Sequence, residues 1–143
     1  MIGGDNLFNE PLVDFLDFAR SKPDNVCVGV VDVKKKSRAR NYGVVKLGGS
    51  ARITGFWEKP AKPRSTLVGM CLYYFPRSRV GLIKDYLKDS RHHSDAAGAY
   101  IGWLAANKEV YGVVFKNYWV DIGRVQTYEK VQKMNEAKGE RIR

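Results

Sequence analysis

The chain has 143 residues, of which 44% are hydrophobic and 28% are charged, and its formal net charge at pH 7 is +10. This length predicts one domain or part of one, and this composition is typical of a soluble globular protein rather than a disordered chain. No apolar run is long enough to span a membrane, and residues 1–5 lack the basic and apolar regions of a signal peptide.

Helices and strands alternate along the chain. Near-continuous apolar, β-branched runs predict strands, and apolar residues that recur at helical spacing predict helices. In chain order the predicted elements are a helix at 11–20, a strand at 26–33, a β-hairpin of strands 42–47 and 52–57 around a turn at 48–50, a strand at 67–75, a helix at 76–88, a helix from Asp95 to about residue 107, strands at 110–115 and 119–121, and a helix at 124–137. This alternation predicts an α/β fold with helix-sheet-helix layers.

The predicted core includes both cysteines. Cys27 and Cys71 each lie within an apolar strand, so we expect both to be buried and reduced, which is typical of a cytoplasmic protein. In the helix at 76–88, the apolar stripe consists of Val80, Ile83 and Leu87. We expect this stripe to face the core.

Residues 34–40 (KKKSRAR) form the densest basic cluster and are predicted to be a loop between two strands. A positive net charge suits polyanions in general, including nucleotides and nucleic acids. The loop is either simply solvated or in contact with an anionic partner. A nucleic-acid-binding module is disfavoured, because the sequence contains no RNP-like aromatic stripe, helix-turn-helix pattern or zinc-ligand spacing.

Two acidic residues stand near opposite ends of the chain, each beside a glycine and after apolar residues. Asp5 lies in the run GGDN (3–6), and Asp121 lies in YWVDIG (118–123). Two carboxylates brought together by folding would hold Mg²⁺, which prefers oxygen ligands and leaves its other positions to water and substrate phosphates. The alternative is that Asp5 caps a helix and that Asp121 is an ordinary turn residue.

The polar stretch before the predicted helix at Asp95 offers a second metal candidate, which is less favoured. His92 and His93 are adjacent, but no cysteine or further histidine accompanies them. Dedicated transition-metal sites need three or four ligands. We therefore expect this stretch to be a loop, with Asp95 as the cap of the following helix.

Four motifs occur in the order and approximate spacing of one enzyme family: GGDNLF at 3–8, YGVVKL at 42–47, FWEKPAKPRSTLVG at 56–69 and WVDIGRVQTYEKV at 119–131. On these residues the chain resembles the sugar-1-phosphate nucleotidyltransferases, most closely the glucose-1-phosphate thymidylyltransferase-like branch. The resemblance implies a nucleotide-diphospho-sugar transferase-like (Rossmann-like) mixed sheet. The family's glycine-rich loop, GxGTRLxP, has no counterpart in residues 1–143, so the resemblance implies a single partial domain. This would be the C-terminal, sugar-binding and metal-binding portion, without the N-terminal nucleotide-binding half.

The resemblance implies catalytic roles for three residues. Asp5 and Asp121 match the two carboxylates that bind Mg²⁺, an ion that would neutralise charge between the nucleotide α-phosphate and the sugar phosphate. Lys59 matches the lysine that contacts the sugar phosphate, where a compact ammonium group favours the incoming dianion.

The resemblance also implies a sugar-binding set. Glu58 matches the residue that accepts hydrogen bonds from sugar hydroxyls, and Gly69 matches a glycine beside the sugar. Tyr42 and Gly43 match a sugar-site turn, where the missing side chain lets ligand and backbone approach closely. Trp119 would form the pocket wall. The alternatives are an ordinary surface charge pair for Glu58 and core packing for Trp119.

The implied reaction is nucleotidyl transfer from an NTP, dTTP or UTP, to a sugar 1-phosphate, with pyrophosphate as the second product. Such chemistry needs positioning and charge stabilisation rather than a nucleophilic side chain. The alternative is a non-catalytic half-domain that binds a sugar phosphate or serves in assembly or regulation. Because a sheet without a neighbouring strand exposes an open edge, we expect association with a missing N-terminal half or with another copy of the chain.

Overall fold

The computed structural model describes residues 1–88, 96–123, 127–129 and 131–133. Between residues 1 and 121, the described residues form seven strands and five helices. They are β1 Asn6–Phe8, α1 Val13–Arg20, β2 Val26–Asp32, α2 Lys36–Ala39, β3 Gly43–Leu47, β4 Ile53–Glu58, β5 Leu67–Tyr74, α3 Arg77–Val80, α4 Leu82–Lys88, α5 Ala97–Asn107, β6 Val110–Phe115 and β7 Trp119–Asp121. A short 3-10 turn, Gly49–Ala51, joins β3 to β4.

Five of the strands form one mixed sheet in the order β4-β3-β5-β2-β6. The strands β2 and β6 pair in parallel, whereas the other neighbours pair antiparallel. Every residue of β2 except Asp32 is buried. A continuous run of β-branched and small apolar residues suits a strand that is covered on both faces.

Each face of the sheet carries its own apolar cluster. On one face, α1 contributes Phe15 and Ala19, which pack with Val44 and Met70 from the sheet. On the other face, the cluster includes α5, in which Tyr100, Ile101 and Leu104 are buried as the helical spacing predicts. The predicted helix-sheet-helix layers are therefore confirmed.

The two remaining strands form a separate antiparallel ribbon. In this ribbon β1 pairs with β7, so that Asn6 lies opposite Asp121 and Phe8 lies opposite Trp119. The ribbon thus brings residues 6–8 beside residues 119–121. A single bridge between Ile2 and Leu72 connects the residues before β1 to β5.

Several predicted helices differ in detail from the structure. The basic segment 34–40 was expected to be a loop, but it contains α2, which is one helical turn. Ala39 is fully buried in an apolar cluster of the sheet, and this contact fixes the turn against the sheet. The predicted helix at 76–88 is divided at Gly81, in keeping with the low helix propensity of glycine. Its buried residue is Tyr86.

The expectation that Val80, Ile83 and Leu87 face the core is wrong, since all three are exposed. Leu82 and Tyr86, four residues apart on one face of α4, make the core contact instead. This face is offset from the one that carries Ile83 and Leu87. Helix α5 begins at Ala97, and the predicted cap Asp95 lies outside the described residues, as does most of the predicted helix at 124–137. Residues 127–129 and 131–133 are helical.

Within the described ranges, no helix is both long enough and apolar enough to cross a bilayer. The two cysteines are both free, but only one of them matches the expectation of burial. Cys27 is fully buried, whereas Cys71 is exposed and has a positive φ of 51°. A positive φ is uncommon for a residue with a side chain, and it turns Cys71 out of the regular strand.

Candidate functional site

The β1–β7 ribbon brings the two predicted metal carboxylates into one small space. Asp5 directly precedes β1 and accepts a hydrogen bond at its backbone oxygen from Ile122 N–H, at 2.7 Å. A Cβ atom on Gly123 would lie 3.0 Å from Asp121 Oδ1 and 3.3 Å from Asp5 Oδ2. The two oxygens are therefore no farther apart than the sum of these distances, and the space between them is open because residue 123 is a glycine.

A chain of hydrogen bonds fixes the orientation of the Asp5 side chain. The indole Nε1–H of Trp119 donates to Asn6 Oδ1 at 2.8 Å, so the amide nitrogen of Asn6 points the other way. That nitrogen donates to Asp5 Oδ1 at 2.7 Å. Asp5 Oδ1 is thus held, and Oδ2 is the atom that lies near Asp121. On the other side, Asp121 Oδ1 accepts the backbone N–H of Gly123 at 2.8 Å.

The donor set suits magnesium better than a transition metal. Two carboxylates are the usual protein contribution to a Mg²⁺ site that keeps positions for water and phosphate. In the part of the chain that the structure describes, no group of three or more His, Cys, Asp and Glu side chains could hold a metal ion. His92 and His93, the less favoured candidates, lie outside the described residues.

Glu58 ends strand β4 and lies opposite Gly43 in the hairpin. A Cβ atom on Gly43 would collide with the ring of Phe56 and lie 3.0 Å from Glu58 Oε2, and a Cβ atom on Gly98 would collide with the same carboxylate. Glu58 is therefore enclosed by two glycine backbones, one of them in the first turn of α5. Burial raises the pKa of the Glu58 carboxyl above its ordinary value, and the charge of Lys59 lowers it in part.

Lys59 follows Glu58 but points into solvent, since its side chain is 66% exposed. Its ammonium lies 3.9 Å from Glu58 Oε1. The backbone of Lys59 has a φ of 42°, and its N–H donates to the carbonyl of Tyr42 at 3.1 Å. Left-handed backbone at a lysine is strained, and such strain clusters at functional sites. At this turn the Glu58 side chain is mostly enclosed by protein, whereas the Lys59 side chain extends into solvent.

One ring contact joins the carboxylate pair to the Glu58 region. The rings of Tyr42 and Trp119 meet edge to face, with centroids 5.2 Å apart. Although Cys71 is exposed as a residue, its thiol is partly desolvated, and this raises its pKa most. The charges of Asp5, Glu58 and Asp121 raise the pKa further, and a hydrogen bond from Tyr73 lowers it in part.

The Tyr42–Trp119 contact therefore joins two groups of predicted site residues, the carboxylate pair and the residues around Glu58. At Gly69 a side chain would make only ordinary contacts, 3.5 Å from Phe56 and 3.7 Å from Val28, so the structure does not require a glycine there. The space beside Gly43 is filled by Phe56 and Glu58, so its lack of a side chain serves the packing of these residues in this structure. The binding roles of Gly43 and Gly69 stay predictions.

Three residues of the site were not assigned by the sequence. Asn6 stands next to Asp5 in the GDN motif, and that position was the available signal for its supporting role. Gly98 and Cys71 gave no such signal. The closeness of Gly98 to Glu58 depends on how α5 packs on β4, and the exposure of Cys71 depends on an irregularity in β5.

Two comparisons connect this geometry to known proteins. The family model described as nucleotidyl transferase matches residues 1–138 of the chain. Among solved structures, the fold is similar to that of a Bacillus anthracis protein proposed to be a glucose-1-phosphate thymidylyltransferase and crystallised in complex with sucrose, with a TM-score of 0.70 and 18% sequence identity. The match covers 93% of this chain and 52% of that one, so the chain spans about half the length of the structure that it resembles.

Proposed function

Because this chain belongs to the nucleotidyl transferase family, we propose that it supplies the metal and sugar-phosphate side of a sugar-1-phosphate nucleotidyltransferase. The family resemblance noted in the motifs is thereby confirmed. The proposed substrates are a nucleoside triphosphate, dTTP or UTP, and a sugar 1-phosphate such as glucose 1-phosphate. The single observation that carries the proposal is the pair of carboxylates, Asp5 and Asp121, that face one space beside Gly123.

In this proposal Asp5 and Asp121 hold Mg²⁺, and the two carboxylates fit it because each directs an oxygen to the same open volume. When bound, the ion would neutralise phosphate charge as an oxygen of the sugar phosphate attacks the α-phosphorus and pyrophosphate leaves. Asn6 and Trp119 orient the Asp5 carboxylate through their hydrogen bonds. Supporting bonds of this kind normally tune a metal site.

Lys59 is assigned to the sugar phosphate, because its ammonium is exposed and can move toward an incoming dianion. Glu58 is assigned to the sugar hydroxyls. Its carboxylate is largely enclosed, with a side chain that is 27% exposed, so a hydroxyl donor would replace lost hydration. Tyr42 and Trp119, whose rings are in contact, are assigned to the pocket wall.

The chain is proposed to be the C-terminal part of a catalytic domain, because it spans about half of the structure that it resembles. The nucleotide would then be held mainly by a part of the domain other than residues 1–143. We expect the chain to associate with such a half or with a second copy. Its two free cysteines fit a reducing compartment, and we propose the cytoplasm.

A direct test compares metal and sugar-phosphate binding by variants. Mn²⁺ binding, followed by electron paramagnetic resonance, should weaken about tenfold or more in Asp5→Asn and in Asp121→Asn. Glucose 1-phosphate binding, followed by calorimetry, should weaken in Lys59→Gln and not in Lys62→Gln, an exposed lysine in the same loop. Unchanged Mn²⁺ binding in both aspartate variants would contradict the proposed site.

Turnover separates this proposal from the alternative of a non-catalytic half-domain, which the half-length match also supports. Pyrophosphate release is measured with glucose 1-phosphate, dTTP and Mg²⁺. We expect little or no release from residues 1–143 alone, and release on completion with an N-terminal half from a family member. Sugar-phosphate binding without turnover in any completed form would favour the alternative.

A further inference from the structure

A second cleft runs along the β3–β4 hairpin from its turn end to Trp57, the residue before Glu58, and includes none of the site residues described above. Its volume is about 520 Å³, and its lining includes Lys46, Thr54 and Arg64. Gly43 and Glu58 are paired at the other end of the same hairpin. Because strands rise about 3.3 Å per residue, Lys46 is on the order of 10 Å along β3 from that pair.

The charge of this cleft is positive and uncompensated. Lys46 and Arg64 are both exposed, and among the described residues no carboxylate lies within ion-pair distance of either. The described residues that line the cleft include no aspartate or glutamate. Two cations that converge on one concavity without a counter-charge raise the local concentration of an anion there.

The cleft also has a flat aromatic wall. The ring of Trp57 lies close over Gly55, where a Cβ atom would collide with it, so the absence of a side chain lets the ring lie along the strand. The guanidinium of Arg64 stands 5.5 Å from the centroid of the Trp57 ring. Arginine and tryptophan together form a platform on which a planar group can stack.

The remaining lining adds hydrogen-bonding capacity and an apolar floor. Ser65 Oγ accepts the N–H of Leu67 at 3.0 Å, so its own hydroxyl hydrogen is left to donate to a ligand. Leu47 and Leu67 complete the apolar part. A cavity of this size suits one small molecule, with a few polar groups that fix its orientation.

We propose that this cleft is a second binding site and that it takes a nucleoside phosphate, with the phosphate at the N–H groups of Lys46 and Arg64 and the base stacked on the platform that the Arg64 guanidinium and the Trp57 ring form together. The site is separate from the one proposed for catalysis, so it extends that function to a further ligand. A polynucleotide is the other anion with planar groups. It is disfavoured here because non-specific strands are bound along basic grooves with successive stacking platforms, whereas this cleft offers one.

The test measures binding of dTMP by calorimetry in the presence of EDTA, with thymidine and inorganic phosphate as partial ligands. The double variant Lys46→Gln/Arg64→Gln should bind dTMP about tenfold or more weakly than the wild type. The control Lys36→Gln/Lys62→Gln loses the same charge from exposed lysines outside the cleft and should bind as the wild type does. Circular dichroism establishes that each variant is folded.

Two further arms locate the ligand within the cleft. Trp57→Leu should weaken dTMP binding several-fold and leave the binding of inorganic phosphate unchanged, because it removes the stacking surface and keeps the cations. Asp5→Asn/Asp121→Asn should leave dTMP binding unchanged. If dTMP binding is lost in that variant, the nucleotide belongs to the carboxylate site, which overturns this proposal and leaves the proposed function standing.

Two results would overturn the second site outright. One is the absence of dTMP binding at millimolar concentration, or equal affinities in the cleft variant and its charge-matched control. The other is a thymidine oligonucleotide that binds about tenfold more tightly per chain than dTMP and loses that binding in Lys46→Gln/Arg64→Gln, because the cleft would then be part of a polynucleotide path.

Discussion

The five-stranded sheet and the β1–β7 ribbon differ in how much apolar packing holds them. The sheet is stabilised by apolar packing on both faces, with nearly all of β2 buried. The ribbon has three residues per strand and packs on one face of the sheet through Phe8 and Trp119, and polar side chains tie it to the loop after β6. Glu10 accepts the N–H groups of Lys116 and Asn117, and Asn9 accepts that of Tyr118. The candidate metal carboxylates thus lie on the part of the molecule with the smaller apolar contact.

This difference implies that the ribbon can change while the sheet persists. Changes in the sheet core should unfold the whole molecule, and changes in the ribbon should loosen the site first. Four substitutions test the contrast.

The largest effect is expected in the sheet layer, from Leu104→Ala. Leu104 is fully buried in α5, so its truncation removes apolar contacts and leaves a cavity. The free energy of unfolding should fall by about 2–5 kcal/mol. Urea denaturation followed by circular dichroism measures it. The matched control is Leu87→Ala on α4, which is 70% exposed and should change stability by less than about 0.5 kcal/mol. Similar losses for the two variants would contradict the assigned packing.

In the ribbon, Asn6→Ala should have the next largest effect. The indole of Trp119, which is 8% exposed, would lose its acceptor, and Asp5 would lose its donor. An unsatisfied buried donor costs about 1–3 kcal/mol. Mn²⁺ affinity should also fall about tenfold or more, because the carboxylate is no longer oriented. Asn41→Ala, at an exposed position, is the control. If stability falls but Mn²⁺ affinity is unchanged, Asn6 does not orient the Asp5 carboxylate for metal binding.

A smaller effect is expected from Glu10→Ala, which removes the acceptor for two backbone N–H groups at the ribbon. Water can replace an exposed acceptor, so stability should fall by about 1 kcal/mol. Hydrogen exchange should speed up at Lys116 and Asn117 and stay slow at Val28 in the sheet. Glu10→Gln keeps one oxygen and should show a smaller change. Equal acceleration at Val28 would mean that ribbon and sheet open together.

The smallest effect, and one that depends on pH, is expected at Glu58. Its pKa is raised by burial, with Lys59 offsetting part of the rise. Relative to a carboxyl of ordinary pKa, the folded state gains stability from proton binding at low pH and loses that gain as pH rises through the raised pKa. Glu58→Gln removes the charge, so the variant should exceed the wild type at pH 7 by less than about 1 kcal/mol. The difference should shrink toward about pH 4. Thermal unfolding between about pH 4 and pH 7 measures this stability difference. A difference that grows as the pH falls would contradict a raised pKa at Glu58.

Much of the fold could be predicted from local patterns. The strand at Val26–Asp32, the hairpin around Gly49–Ala51 and the buried face of α5 follow directly from apolar periodicity and turn residues. The burial of Ala39 and the exposure of Leu87 could not be predicted in this way. Both depend on which face of a short helix meets the sheet, and a short amphipathic segment offers two acceptable faces.

The site shows the same division. The motifs predicted Asp5, Asp121 and Glu58, and the structure brings the first two to one space beside Gly123 and sets Glu58 opposite Gly43. The sequence could not place Gly98 beside Glu58, because those residues are far apart in the chain and meet through the packing of α5 on β4. The roles of these residues in binding stay predictions.

The irregular pairing of β5 has a consequence for how this site can vary. Between Val28 and Val30 the partner strand runs from Tyr73 to Gly69, so β5 carries two extra residues there. The side chain of residue 71 is the one turned outward, while Met70 and Leu72 stay buried beside it. Residue 71 can therefore be exchanged without repacking the interior, but its positive φ of 51° restricts the exchange to residues that accept left-handed backbone, such as glycine or asparagine.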